Sequence, residues 1–153
     1  MQVFIVGSIF ETAQVLDKKR LNKQIIECQQ ILDALNGAKA WSNHPVVLQY
    51  RGYEEWLELY MLCLVQYQKS CNKSISENEK SDWIHLASEF SDKAFKHKPP
   101  FHTEEFLNQM KRRLFEKNEE YYKQWSYLGK SLDNWYFVDG EWIKYRNGKK
   151  IIE

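Results

Sequence analysis

Apolar positions recur at helical spacing through most of this chain and give way to β-rich runs only at its two ends. The first long stretch, LDKKRLNKQIIECQQILDAL, sets Leu21, Ile25, Cys28, Leu32 and Leu35 on one stripe, which predicts an amphipathic helix over Leu16 to Leu35. Asp17 stands at the N-cap position, and Gly37 follows Asn36 at the far end. Pro45 opens the most apolar segment, which runs to about Lys69 with apolar residues around most of its circumference and predicts the central helix of a core. Gly52 is the weak point of that helix. A third stripe of Trp83, Ala87, Phe90 and Ala94 predicts a helix that Pro99 and Pro100 must end. Thr103 then caps a fourth helix, with Glu104 and Glu105 in its first turn and either Phe106 or Leu107 joining Met110 and Leu114 on its inner side.

The ends read differently. MQVFIVG is an edge strand or an extended arm leading to Gly7, and Glu11 to Val15 suits a short helical turn. WYFV and EWIKYR flank Asp139-Gly140, a strong hairpin signal. The fold expected is mainly α: a compact single-domain helical bundle over 1–153, with an N-terminal extended arm and an appended C-terminal β-hairpin over 135–150.

Composition narrows this only at a few points. The chain has 153 residues with 43% hydrophobic and 28% charged content, as an ordinary globular domain does. A net charge of +1 exerts no global pull on nucleic acid, so any such role must rest on local patches. Cys28, Cys63 and Cys71 are odd in number and lack ligand spacing; Cys28 and Cys63 read as buried thiols of an intracellular protein. The first apolar run is too short for a membrane span, and a cytoplasmic monomer without membrane contact is expected. No metal or nucleotide cofactor is expected, because the sequence holds neither a ligand-spaced cluster nor a phosphate-binding glycine loop.

Candidate chemistry sits beside the first apolar stripe. Arg20, Lys23, Gln24, Glu27 and Gln30 form a second row on the same helix, with one carboxylate at the edge of the apolar face among cations and amides. The loop before Pro45 carries Trp41, Asn43 and His44; His44 suits a helix cap as well as a site, and Trp41 is either core or a stacking wedge. Tyr50, Arg51 and Tyr53 alternate aromatic and cation near Gly52, though the tyrosines are expected in the core. Lys111, Arg112, Arg113 and Lys117 make a basic face on the fourth helix.

Taken together, the blocks LDKKRLNKQIIECQQILDAL, WSNHP…YRGYEEW and KPPFHTEEFLNQMKRRLFEKNEEYYKQW resemble the phage pyrimidine-dimer DNA glycosylase (endonuclease V) superfamily, in a bacterial and viral branch that begins Met-Gln. The resemblance covers roughly residues 1 to 130 and does not reach the hairpin. It implies a glycosylase with linked abasic-site lyase activity on double-stranded DNA bearing a damaged or modified pyrimidine. The reaction would run through an imine between the N-terminal amine and the sugar C1′. It also implies that Glu27 is the catalytic carboxylate, that His44 belongs to the site, and that Arg113 and Lys117 meet the DNA backbone. Two arginines that flank the catalytic Glu in the family correspond here to Ile26 and Gln30.

The expected site is therefore Met1, Glu27 and His44 for catalysis, with Arg20, Lys23, Gln24, Gln30, Asn43, Arg51, Arg113 and Lys117 for DNA binding. Gln2 is too large for ready removal of the initiator, so Met1 is expected to stay and to supply the amine. An α-amine titrates near ~7.7, against ~10.4 for an ordinary lysine, which suits it to nucleophilic attack at cellular pH. Two other readings keep the scaffold: a module that binds distorted or modified bases without cutting, and a phage enzyme of DNA-base modification.

Overall fold

The computed structural model describes residues 1–71, 85, 89 and 96–152. The fold is mainly α, with a small antiparallel sheet at its C-terminal end. Helix α1 spans Ile9–Val15, α2 Lys18–Leu35, α3 Pro45–Tyr50, α4 Glu54–Cys71 and α5 Glu104–Lys117, and a 3-10 turn covers Lys123–Leu128. Ser8 caps α1 by accepting from the Glu11 N–H at 3.0 Å, and Thr103 caps α5 by accepting from Phe106 at 3.3 Å. Most of the expected third helix falls outside the described residues.

Three local expectations change. Asp17 occupies the N-cap position of α2, but its side chain makes no capping bond. It turns instead to the Tyr122 hydroxyl and to Arg20, at 3.2 Å, and joins α2 to the chain beyond α5. The single central helix expected from Pro45 to Lys69 is broken in two at Gly52, whose φ of 93° takes the backbone out of the helical region. The Gly52 N–H then donates to the Glu54 carboxylate at 3.1 Å, which starts α4 in a new direction. Helix α2 buries Leu21, Gln24, Cys28, Ile31, Leu32 and Ala34, whereas Ile25 and Leu35 pack only at the edge. An amide thus stands in the middle of the inner stripe.

That amide answers to the N-terminal arm. Residues 2–6 are extended and buried, and among the described residues no strand pairs with them. Buried backbone groups must still find partners, and side chains supply them. Gln24 accepts from the Phe4 N–H at 2.7 Å and donates to the Gln2 carbonyl at 2.9 Å. The Tyr60 hydroxyl donates to the Phe4 carbonyl, and Thr12 accepts from the Val6 N–H at 3.1 Å. Val3, Phe4, Ile5 and Val6 fill the core against α2 and α4, which pack on each other. The arm reading holds and the edge-strand reading does not.

The C-terminal hairpin is larger than expected and is not an appendage. Strands β1 (Asn134–Val138), β2 (Glu141–Arg146) and β3 (Lys149–Lys150) form one antiparallel sheet in that order. Asp139-Gly140 and Asn147-Gly148 each close a two-residue turn with positive φ at both positions. Strand β1 packs on α3 and α5, with Tyr136 and Val138 buried. The Tyr136 hydroxyl donates to the Met1 carbonyl at 2.8 Å, and Gln2 donates to the Asn134 side chain at 3.2 Å. The two ends of the chain therefore meet.

If side chains carry the arm, removing one acceptor's partner must register in stability. Tyr60→Phe strips the buried Phe4 carbonyl of its donor and should cost about 1–3 kcal/mol, read as a lower urea midpoint with unchanged slope. A cost indistinguishable from zero would show that the arm is held by apolar packing alone.

Candidate active site

Met1 ends the arm at the mouth of a cavity of about 310 Å³, where α2, the arm, α5 and β1 converge. Helix α2 contributes Lys19, Arg20, Lys23, Gln24 and Glu27; α5 contributes Arg113 and Lys117. The arm adds Met1, Gln2 and Phe4, and the sheet adds Asn134. Five cationic side chains thus surround one carboxylate, in a protein whose net charge is +1.

The terminal amine is the group whose chemistry this setting changes most directly. Burial lowers its pKa below the ordinary 8.0; Glu27 opposes that shift, and Lys23, Lys117 and Arg113 add to it. A larger fraction is therefore neutral and nucleophilic near pH 7 than for a solvated terminus. Glu27, with its side chain 14% exposed, lies 4.0 Å from the Lys23 ammonium. The Lys117 ammonium is also held below its ordinary value, first by partial burial and then by Arg113 and Lys23.

The sequence-selected residues separate into groups. Met1, Arg20, Lys23, Gln24, Glu27, Arg113 and Lys117 line one cavity. Within it Gln24 is committed at both ends of its amide to the arm, so it builds the wall of the site. Arg20 is bound to Asp17 and donates to the Lys117 carbonyl at 3.3 Å, which ties α2 to the end of α5. Gln30, Asn43 and Arg51 do not line the cavity. Asn43 sits exposed in the loop before α3, and Arg51 sits exposed at the C-terminal end of that helix.

His44 stands one layer behind. Its Nδ1 accepts from the Val46 N–H at 3.1 Å, so it caps α3. Its ring meets Tyr136 edge-on at 5.7 Å, and Tyr136 in turn holds the Met1 carbonyl. Burial, and then the positive terminus, push its pKa down to about 4. Trp41, one of whose two readings was core, is 49% exposed with φ 66°.

The basic face expected on α5 is divided. Arg113 pairs with Glu116 at 3.2 Å and donates to the Ser131 carbonyl at 2.9 Å; Arg112 donates to the Leu128 carbonyl and to Glu105, both at 3.1 Å. Only Arg113 and Lys117 of the four reach the cavity. Gln2, Phe4, Lys19 and Asn134 were not foreseen. Lys19 could have been, because it begins the same helix, whereas Asn134 is brought in only by the fold.

Residues 1–70 match the family model of the pyrimidine dimer DNA glycosylases, which bears out the resemblance over the first two of its three blocks and does not reach the third. The matched segment holds Met1, Arg20, Lys23, Gln24 and Glu27, while Arg113, Lys117 and Asn134 join the cavity from beyond it. No curated protein and no solved structure matches the chain. Among the described residues, no group of three or more His, Cys, Asp or Glu is placed to hold a metal ion, and no helix is long and apolar enough to cross a membrane.

The His44 environment makes a prediction about acid stability. Its folded pKa of about 4 lies below the ordinary 6.5, so between these values the unfolded chain binds the extra proton. Stability should thus fall as pH drops from about 6.5 towards 4. His102, buried against the Tyr50 hydroxyl at 2.7 Å and lowered to about 3, acts with the same sign. His44→Asn keeps a capping acceptor and removes the titration, so unfolding midpoints at pH 7 and pH 4.5 should lie closer together than in the parent. An unchanged gap would place the acid sensitivity elsewhere.

Proposed function

We propose that this protein is a DNA-repair glycosylase with linked abasic-site lyase activity, acting on damaged or modified pyrimidines in double-stranded DNA. The observation that carries this reading is the meeting of the α-amine of Met1 with Glu27 in one cation-lined cavity. The amine is uncharged more often than a solvated one, and Glu27 is the only anionic side chain lining the cavity among the described residues.

The steps follow from these two groups. The neutral amine attacks C1′ as the glycosidic bond breaks, and the base departs with the bonding pair and takes up a proton. Glu27 stabilises the positive charge that grows on the sugar. Transfer of the amine's proton towards the ring oxygen opens the sugar and leaves a protonated imine. A base then removes a proton from C2′, and the 3′ phosphate leaves by β-elimination; Glu27 is the group placed to move both protons. Water hydrolyses the imine and restores the amine. Lys23, Arg113 and Lys117 face the phosphates, whose charge they partly neutralise. Where the family has arginines beside its Glu, this chain has an exposed Ile26 and Gln30 outside the cavity, so the cations arrive from other turns of α2 and from α5.

Glu27→Gln should lower strand cleavage by at least about a hundredfold, while duplex binding is kept or tightened by the loss of one negative charge. Unchanged cleavage by the folded variant would remove Glu27 from the chemistry. Borohydride on abasic-site DNA should trap a covalent adduct at the terminus, and a single residue added before Met1 should eliminate it while the fold persists. A mass-spectrometric linkage at Lys23 or any other lysine would refute the terminal amine. The net charge of +1 and the loss of the flanking arginines favour a second reading, a binder without chemistry, which predicts duplex binding and no adduct at all.

A further inference from the structure

Arg113 and Asn134 line a second cleft as well as the first. This cleft, of about 330 Å³, is completed by Glu116, Leu132, Arg146 and the Asn147-Gly148 turn. Leu132 stands on its wall with 59% of its surface exposed. A lone exposed leucine is unremarkable on a protein surface; the loop that carries this one is not. Arg113 donates to the Ser131 carbonyl at 2.9 Å, and Gln109 donates to the Ser131 hydroxyl and to the Asp133 carbonyl. The Asp133 carboxylate accepts from Arg146 at 2.7 Å, and the Asp133 N–H donates to the Ser131 hydroxyl at 3.3 Å. Both neighbours of Leu132 are thus tied down, and the leucine between them is presented to solvent on a rigid mount. The even more exposed Tyr127 lines neither cleft.

We propose that Leu132 is a wedge that enters the base stack of duplex DNA and fills the space left by a nucleotide drawn out towards the cavity of Met1 and Glu27. This rests on the glycosylase reading, and it names how that site gains access to a stacked nucleotide. Three features select DNA as the occupant. The leucine lines a cleft that shares Arg113 and Asn134 with the cavity of Met1 and Glu27, so a duplex whose phosphates meet Arg113 would bring its stack near this loop. Apolar wedges of this size are what proteins insert between base steps, and unstacking is the main cost of extruding a nucleotide. The mount is bonded before DNA arrives, so little ordering remains to be done on binding. Leu132 lies outside the family-matched segment and is a positioning residue, not a catalytic one.

The test uses the full chain and two duplexes carrying one thymine dimer, with 2-aminopurine opposite the lesion in one and next to it in the other. Binding of the parent should raise fluorescence in at least one duplex as stacking is lost. Leu132→Ala should suppress that rise and slow excision on duplex DNA by roughly tenfold or more. Borohydride trapping on a single-stranded abasic oligonucleotide, where nothing must be extruded, should stay at the parental level. Leu132→Met should behave as the parent. An undiminished rise with Leu132→Ala, no rise with the parent, or an equal loss of trapping on the single strand would each overturn the wedge. A Leu132-dependent rise without any imine in the parent would instead overturn the glycosylase chemistry and leave the wedge standing.

Discussion

An extended, buried segment with no strand beside it among the described residues is the constraint on which this structure rests. Each of its backbone groups would cost free energy if left dry and unpaired. The protein meets that cost with Gln24, Tyr60, Thr12 and Tyr136, drawn from α2, α4, α1 and β1. One consequence is the polar residue in the middle of the inner stripe of α2. Another is that the arm leading to Met1 is held by four separate elements, with Tyr136 on the Met1 carbonyl itself, whereas a terminus is ordinarily the loosest part of a chain.

Charge is arranged on the same plan. Lysine and arginine together number 22 against 21 for aspartate and glutamate, so nothing global draws the protein to a polyanion. The cavity nevertheless collects Lys19, Arg20, Lys23, Arg113 and Lys117 around Glu27. Some of this charge is spent on structure: Arg20 on Asp17, Arg113 on Glu116. Lys23, with 66% of its side chain exposed, is freer to meet a ligand.

Much of this was legible in the order of residues, and what was missed has physical reasons that differ from place to place. Local chemistry gave the Thr103 cap, the turn at Asp139-Gly140 and the weakness at Gly52. The row on α2 gave Glu27 with Arg20 and Lys23, because a helix keeps residues three and four apart on one side. Gly52 was undervalued: judged by its propensity it was a soft spot within one helix, whereas its positive φ makes it the end of one helix and the approach to another. Gln24 looked like a ligand-facing amide because periodicity cannot report what lies opposite a buried position. Asn134 and Leu132 carry no local signal at all. Asn134 is placed by a pairing across more than a hundred residues, with Gln2, and the loop of Leu132 by bonds to α5 and β2. Trp41 failed as a core residue for the opposite reason, since a short loop in a left-handed conformation turns it outwards.

The bonds from Tyr136 to the Met1 carbonyl and from Gln2 to Asn134 join groups 135 and 132 positions apart. During synthesis Met1 and Gln2 therefore wait for partners made more than a hundred residues later. Helices α1 and α2 can form from neighbours alone, but the enclosure of the terminal amine is a late event that follows release of the sheet from the ribosome. Contacts of such long sequence separation are closed slowly. A nascent or truncated chain lacking β1 keeps an amine open to solvent on one side, without Asn134 beside it. The order of translation thus acts as a safeguard: the cavity is assembled only in a chain that has been made past β1.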